Sequence, residues 1–120
     1  MGTPVEEIRQ FHAELREIRH DLHAHPELGF EEDRTSEIVA GRLAAWGVEV
    51  HRGLAGTGVV GVVRGRKCAS GRAVGLRADM DCLPIHETTG LPYRSRHDGR
   101  MHACGHDGHT TMLLGAARYL

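Results

Sequence analysis

Apolar residues near the start of the chain recur at spacings close to multiples of 3.6, the period of an α-helix. These positions are Val5, Ile8, Leu15, Ile18 and Leu22. We therefore predict one amphipathic helix that stops near His25, because Pro26 disfavours helical dihedral angles in the residue before it.

A second helix is indicated by apolar residues at positions 38, 39, 43 and 46. Acidic residues at 31–33 place negative charge near its N-terminus, where the helix dipole favours it. Gly47 is typical of the residue that ends a helix.

After Gly47 the pattern changes to short valine-rich segments separated by glycine-containing turns, which predicts strands at 48–51, 57–65 and 73–80. The polar stretch 87–100 predicts a long loop, whose three arginines either bind an anionic substrate group or, as we favour, are solvated. The end of the chain predicts a further helix with apolar residues buried nearly all round: Met112, Leu113, Leu114, Ala116 and Ala117.

Charge and cysteine content narrow the class of protein. In 120 residues, 15 Lys+Arg nearly balance 16 Asp+Glu, and the formal net charge of -1 argues against nucleic-acid or membrane partners. The first 22 residues contain no apolar run, so we expect no targeting segment. Cys68, Cys82 and Cys104 are too few for a disulfide framework and odd in number, which favours a reducing, cytoplasmic location.

The segment MHACGHDGH, residues 101–109, concentrates side chains that bind metals. If it is extended, His102, Cys104 and His106 lie two apart and face the same side. Thiolate and imidazole suit zinc or another late first-row divalent metal. Asp107 is either a helix N-cap or a group that orients a metal ligand, and His109 is either part of the site or a first-turn helical residue.

A second candidate group is the carboxylate pair Asp79 and Asp81, which ends the predicted strand 73–80. Two carboxylates at the C-terminal end of a strand serve a site in many α/β proteins, because ligands collect there. The alternative is a pair of solvated loop carboxylates. Cys82, the next residue, is either a small buried side chain, the commoner role, or a reactive thiol.

A third group is His23 and His25, two residues apart beside Glu27. A metal pair is one interpretation. On a helix that runs through His25, however, the two imidazoles point to different faces and cannot share an ion. We therefore favour structural roles for both.

Three motifs in register resemble one known family: DLHAHPELGFEE, LRADMDCLPIHETTGLPYRS and MHACGHDGHTTMLLGAA. Their order and spacing are similar to those of the M20 amidohydrolases of the hippurate hydrolase and indole-acetyl-amino-acid hydrolase type. The resemblance runs from about His20 to the end of the chain. It implies a zinc-peptidase-like α/β catalytic domain with two divalent ions, zinc, manganese or a related metal, that hydrolyses the amide bond of N-acyl amino acids or similar small amides.

The resemblance also assigns roles to individual residues. Cys104 and His106 match the first two metal ligands of the family, and Asp81 matches a carboxylate that orients a metal ligand or the bound water. His102, Asp107 and His109 belong to the motif but not to the principal ligands. One departure is Cys82, where relatives commonly have alanine; it affects no catalytic position.

The resemblance places the general-base glutamate and the other metal ligands beyond the C-x-H motif, in sequence that this chain does not contain. We therefore expect residues 1–120 to be the N-terminal part of the catalytic domain, truncated at Leu120, without the inserted lid or dimerisation domain through which family members can form homo-oligomers. Alone, the chain should be inactive. Two other functions remain open: a non-catalytic metal-binding or interaction module, and a thiol-dependent enzyme that uses Cys104 with His106 or His109 as base.

Overall fold

In the computed structural model, which describes residues 2–67 and 69–120, the predicted first helix is two helices: α1, Pro4–Arg9, and α2, His12–Ala24. Thr3 and Glu6 form a reciprocal capping box at the start of α1. Phe11 interrupts the helix with φ -120°, and it packs against the core. The prediction of a single helix was wrong because so short an interruption leaves the apolar spacing almost unchanged. The predicted stop near His25 is confirmed.

The second predicted helix is confirmed as α3, Asp33–Ala45. The carboxylate of Glu27, a residue that precedes the helix, caps its N-terminus. It accepts hydrogen bonds from the backbone N–H groups of Arg34 and Thr35 at 2.9 and 2.6 Å. Gly47 follows with φ +77°, the left-handed conformation expected where a helix ends.

Two of the three predicted strands form an antiparallel hairpin: β1, Glu49–Leu54, and β2, Gly58–Val62. Glu49 pairs with Val62 and Arg52 with Val59, and a bulge follows at Gly53, where φ is +92°.

The third predicted strand, 73–80, is not a strand. Val74 and Leu76 are 86% and 60% exposed, and the backbone groups of 73–78 have no backbone partner in the part of the chain that the structure describes. Valine-rich composition favours a pleated backbone, but a strand also needs a neighbour to pair with. The predicted loop 87–100 is confirmed as irregular.

The final helix, α4, spans His106–Tyr119 and packs on α2, with Gly115 against Leu15. Leu114 is buried, whereas Met112 is 64% exposed, so the prediction of burial nearly all round was wrong. One face of α4 completes a core shared by α2, α3 and α4, and the opposite face is open. The buried members of this core are Leu15, Ile18, Leu22, Val39, Leu43 and Leu114. With its helices and hairpin the chain has the predicted α/β class.

Candidate metal centre

Backbone contacts bring the segment that contains Asp79 and Asp81 close to the histidine-rich segment 101–109. Leu83 and Met101 exchange two backbone hydrogen bonds of 2.9 and 3.0 Å, which joins the segment after Asp81 to the segment before His106. The Thr110 hydroxyl of α4 donates to the Asp79 backbone oxygen at 2.9 Å. Residues distant in sequence therefore meet where α4 begins.

At this point Asp79, Asp81 and His106 each offer one ligand atom, and these atoms all lie within 4.8 Å of one another. The His106 Nδ1 atom lies 2.9 Å from Asp81 Oδ1 and 2.9 Å from the Asp81 backbone oxygen. Its Nε2 atom lies 3.5 Å from Asp79 Oδ2. The two carboxylates thus share one side, and both are partly buried rather than freely solvated.

This arrangement fits a divalent cation. Imidazole and carboxylate are donors for zinc and manganese. A His106 ring that donates from Nδ1 to Asp81 and carries no proton on Nε2 has a lone pair on the side that faces Asp79. The three candidate ligand atoms therefore lie around one centre. The Arg77 guanidinium lies 2.5 Å from Asp79 Oδ1.

Cys104 is exposed and is not part of this cluster. Gly105, between it and His106, has φ +82°, a left-handed conformation that a residue with a side chain would adopt only with strain. In the described part of the chain no hydrogen bond joins the thiol to His106 or His109, so neither imidazole is placed as its base. The assignment of Cys104 and His106 as metal ligands stays a prediction.

His102 does not share a centre with Cys104 and His106. Its side chain is buried, and among the described residues neither ring nitrogen has a hydrogen-bond partner. Burial lowers the pKa of His102, although the Asp107 carboxylate opposes this, and the ring is therefore uncharged at neutral pH. His109 is an exposed residue of the first turn of α4, one of its two predicted roles.

The N-cap interpretation of Asp107 was wrong, because Gly105 occupies that position and no side chain caps the helix. Asp107 is instead fully buried, and its Oδ2 atom lies 2.8 Å from His23 Nδ1. The other ring nitrogen of His23 lies 3.1 Å from both carboxylate oxygens of Glu87. Sequence analysis did not identify Glu87, because it lies 64 residues from His23 and no local pattern marks the pair.

His23 and His25 have separate partners. His23 is buried between Asp107 and Glu87, whereas His25 Nδ1 lies 2.8 Å from the Asp21 backbone oxygen. The metal-pair interpretation therefore finds no support, and the structural one is favoured. Cys82 is buried, and burial raises the pKa of its thiol, which fits a packed side chain rather than a nucleophile. Cys68 lies outside the described residues.

Known proteins are similar to this chain in sequence. Residues 75–120, which include Asp79, Asp81, Cys104 and His106, match peptidase family M20/M25/M40. The chain is 52% identical to the hippurate hydrolase of Campylobacter jejuni, over 97% of this chain and 30% of that protein. Over residues 75–120 the chain is thus similar to the M20 family. A relative with another printed activity, thermostable carboxypeptidase 1 of Saccharolobus solfataricus, is 47% identical over 95% of this chain and 29% of its own length.

The fold agrees with this assignment. The crystal structure of Bacillus subtilis YxeP, described as a dinuclear metal-binding peptidase of the M20 family, superposes with a TM-score of 0.85 at 42% identity, over 92% of this chain and 31% of YxeP. The chain thus spans about 30% of the length of the relatives that it matches. No helix in the described residues is long and apolar enough to cross a membrane.

Proposed function

We propose that this chain supplies part of the metal centre of a hydrolase that cleaves the amide bond of N-acyl amino acids or similar small amides. The observation that carries the proposal is the convergence of Asp79, Asp81 and His106 within 4.8 Å, inside the segment that matches the M20 family. Cys104, two residues before His106, is the expected additional ligand.

In this proposal Cys104 and His106 hold a divalent ion, zinc or manganese, as one of two in the complete site. Such ions supply Lewis-acid activation of the amide and of the attacking water. Asp81 accepts the Nδ1 proton of His106 and so keeps the ring in the tautomer and orientation that leave Nε2 free. Asp79 places a second carboxylate on the same side.

A general base is the missing component. The cluster in the described residues contains no glutamate, and three buried or partly buried glutamates have other partners. Glu27 caps α3, Glu32 accepts the Thr57 hydroxyl, and Glu87 contacts His23. We therefore propose that the 120 residues alone do not turn over substrate.

We infer the substrate class from the printed activities of the relatives. Hippurate is an N-acylated glycine, and a carboxypeptidase also cleaves an amide whose amine product carries a carboxylate. The second candidate function is therefore peptide cleavage at a C-terminal residue, with the same chemistry. We also propose a reducing compartment such as the cytoplasm, supported by the free thiols of Cys82 and Cys104.

A metal analysis tests the centre. After equilibration with zinc or manganese and removal of excess metal, we expect the purified chain to retain metal stoichiometrically, and Cys104→Ser and His106→Ala to lose it. His109→Ala is the matched control, because His109 is exposed in the same helical turn and lies outside the cluster. A parent chain that retains no metal, or variants that retain it fully, would contradict the proposed ligands.

A chimaera tests the activity. This chain would replace the matching 30% of Campylobacter jejuni hippurate hydrolase. We expect metal-dependent release of glycine from hippurate by the chimaera and its His109→Ala variant, but not by its His106→Ala variant or by the 120-residue chain. Turnover by the chain alone would contradict its need for a further base. Tight metal retention with a folded but inactive chimaera would favour a non-catalytic metal-binding module.

A further inference from the structure

A buried ionisable cluster lies beside the candidate centre but is not part of it. It consists of His23 from α2, Glu87 from the loop and Asp107 from α4, whose side chains are 5%, 2% and 1% exposed. The imidazole lies between the two carboxylates, at 2.8 Å from Asp107 and 3.1 Å from Glu87. Burial of three ionisable groups is costly unless they are paired, which they are here.

His23 connects two elements of the fold. Each of its ring nitrogens faces one carboxylate, Asp107 on α4 and Glu87 on the loop. Glu87 is further held by the Ser95 N–H at 2.8 Å and by the Thr89 hydroxyl. The Arg19 guanidinium lies 3.4 Å from Asp107 Oδ2.

The cluster is linked directly to the centre through the chain. Asp107 follows His106 in the first turn of α4, so a contact that holds Asp107 also orients the start of this helix. Glu87 lies in the segment that runs from Asp81 to Cys104. The Arg96 N–H of this segment donates to the Ala24 backbone oxygen, one residue from His23, at 2.9 Å.

We propose that His23 is a positioning residue for the metal centre. By its contact with Asp107 it orients the first turn of α4, and with it His106; by its contact with Glu87 it holds the segment between the aspartates and Cys104. This inference rests on the proposed function. A buried polar cluster is not needed for stability, since apolar side chains of similar volume often stabilise a fold as well. What the His23 ring adds is direction, because it contacts two separate elements.

The test is a titration of the purified chain with cobalt(II), whose visible absorption reports ligand type and geometry. We compare the parent with His23→Gln, which lacks the ring that bridges the two carboxylates, and with His25→Gln as matched control. His25 lies two residues away and contacts neither Asp107 nor Glu87. We expect His23→Gln to bind cobalt about tenfold or more weakly and with an altered spectrum, by analogy with other residues that support metal ligands. His25→Gln should match the parent.

A further measurement keeps the result interpretable. Far-UV circular dichroism shows whether His23→Gln is folded; if it is not, Glu87→Gln, which weakens only one of the two contacts, takes its place.

The outcomes distinguish this inference from the proposed function. If the parent binds cobalt through Cys104 and folded His23→Gln binds it with the same affinity and spectrum, His23 is not a positioning residue and the proposed centre stands. If the parent binds no cobalt, or binds it unchanged after Cys104→Ser, the proposed centre is wrong and the inference falls with it.

Discussion

Gly41 and Gly115 both lie inside helices, but their surroundings differ. Gly41 is exposed in α3, and a Cβ atom added there meets nothing within 4 Å. Gly115 is buried in α4, and a Cβ atom there would lie 2.9 Å from Leu15 Cδ1. The absence of a side chain is therefore needed only at Gly115, where α4 approaches α2.

We expect the two alanine substitutions to have opposite effects. Gly41→Ala should raise the free energy of unfolding by about 0.5–1 kcal/mol, because alanine loses less backbone entropy in a helix. Gly115→Ala should lower it by about 1 kcal/mol, because overpacking against the buried Leu15 outweighs the same gain. Urea denaturation of both variants measures the difference. A Gly115→Ala chain as stable as Gly41→Ala would mean that Leu15 moves aside without cost.

At the scale of elements, the loop 87–97 is held by side chains rather than by a ladder of backbone bonds. The Tyr93 ring stacks on His20 with centroids 3.7 Å apart. Glu87 contacts His23 and accepts the Ser95 N–H. Burial opposes ionisation of Glu87, but hydrogen bonds from Thr89, Ser95 and His23 outweigh it, so its pKa lies below the ordinary 4.5.

This lowered pKa predicts how the loop responds to acid. The unfolded chain takes up the Glu87 proton at a higher pH than the folded chain, so the stabilisation is complete above about pH 4.5 and is lost as the pH falls through the lower folded pKa. NMR should show the Ser95 amide shifting and exchanging faster in that range. Glu87→Gln should abolish this acid response and lower the free energy of unfolding by about 2 kcal/mol at neutral pH. A Ser95 amide that is insensitive to acid in the parent would contradict the assigned contact.

At the scale of the whole molecule, the chain is more open than its length alone predicts. Its radius of gyration is 15.4 Å, against roughly 14 Å for a compact domain of this length. Its accessible surface is 8100 Å², against about 6,400 Å² for a compact monomer of this size. The unpaired segment 73–80, with exposed Val74 and Leu76, contributes to the excess.

Amide hydrogen exchange should differ between the segment 73–78 and the core helices. Amides of 73–78 should exchange at rates close to those of an unfolded chain, because no backbone partner protects them in the described structure. Amides in the centres of α2 and α4 should be protected, since these helices share the core. Slow exchange at 73–78 in a dilute sample would show that these residues have found a partner, and its dependence on concentration would show whether that partner is a second copy.

The sequence by itself determined the properties that depend on local order along the chain. Helical periodicity located the segments of α2 and α3, apolar composition located that of α4, and glycine at 47 located a helix end. The end of a valine-rich segment marked Asp79 and Asp81 as a candidate pair. Resemblance to the M20 family, confirmed by the comparisons, identified Cys104, His106 and Asp81 as the candidates for chemistry.

Only the tertiary structure decided the features that depend on contacts between distant residues. It brought Asp81 to His106 across 25 positions and placed His23 between Glu87 and Asp107 across 64 and 84. It also left 73–78 without a backbone partner among the described residues, despite a strand-like pattern. The physical reason is that spacing within an element follows from backbone geometry, whereas pairing and burial depend on which other segments pack against it.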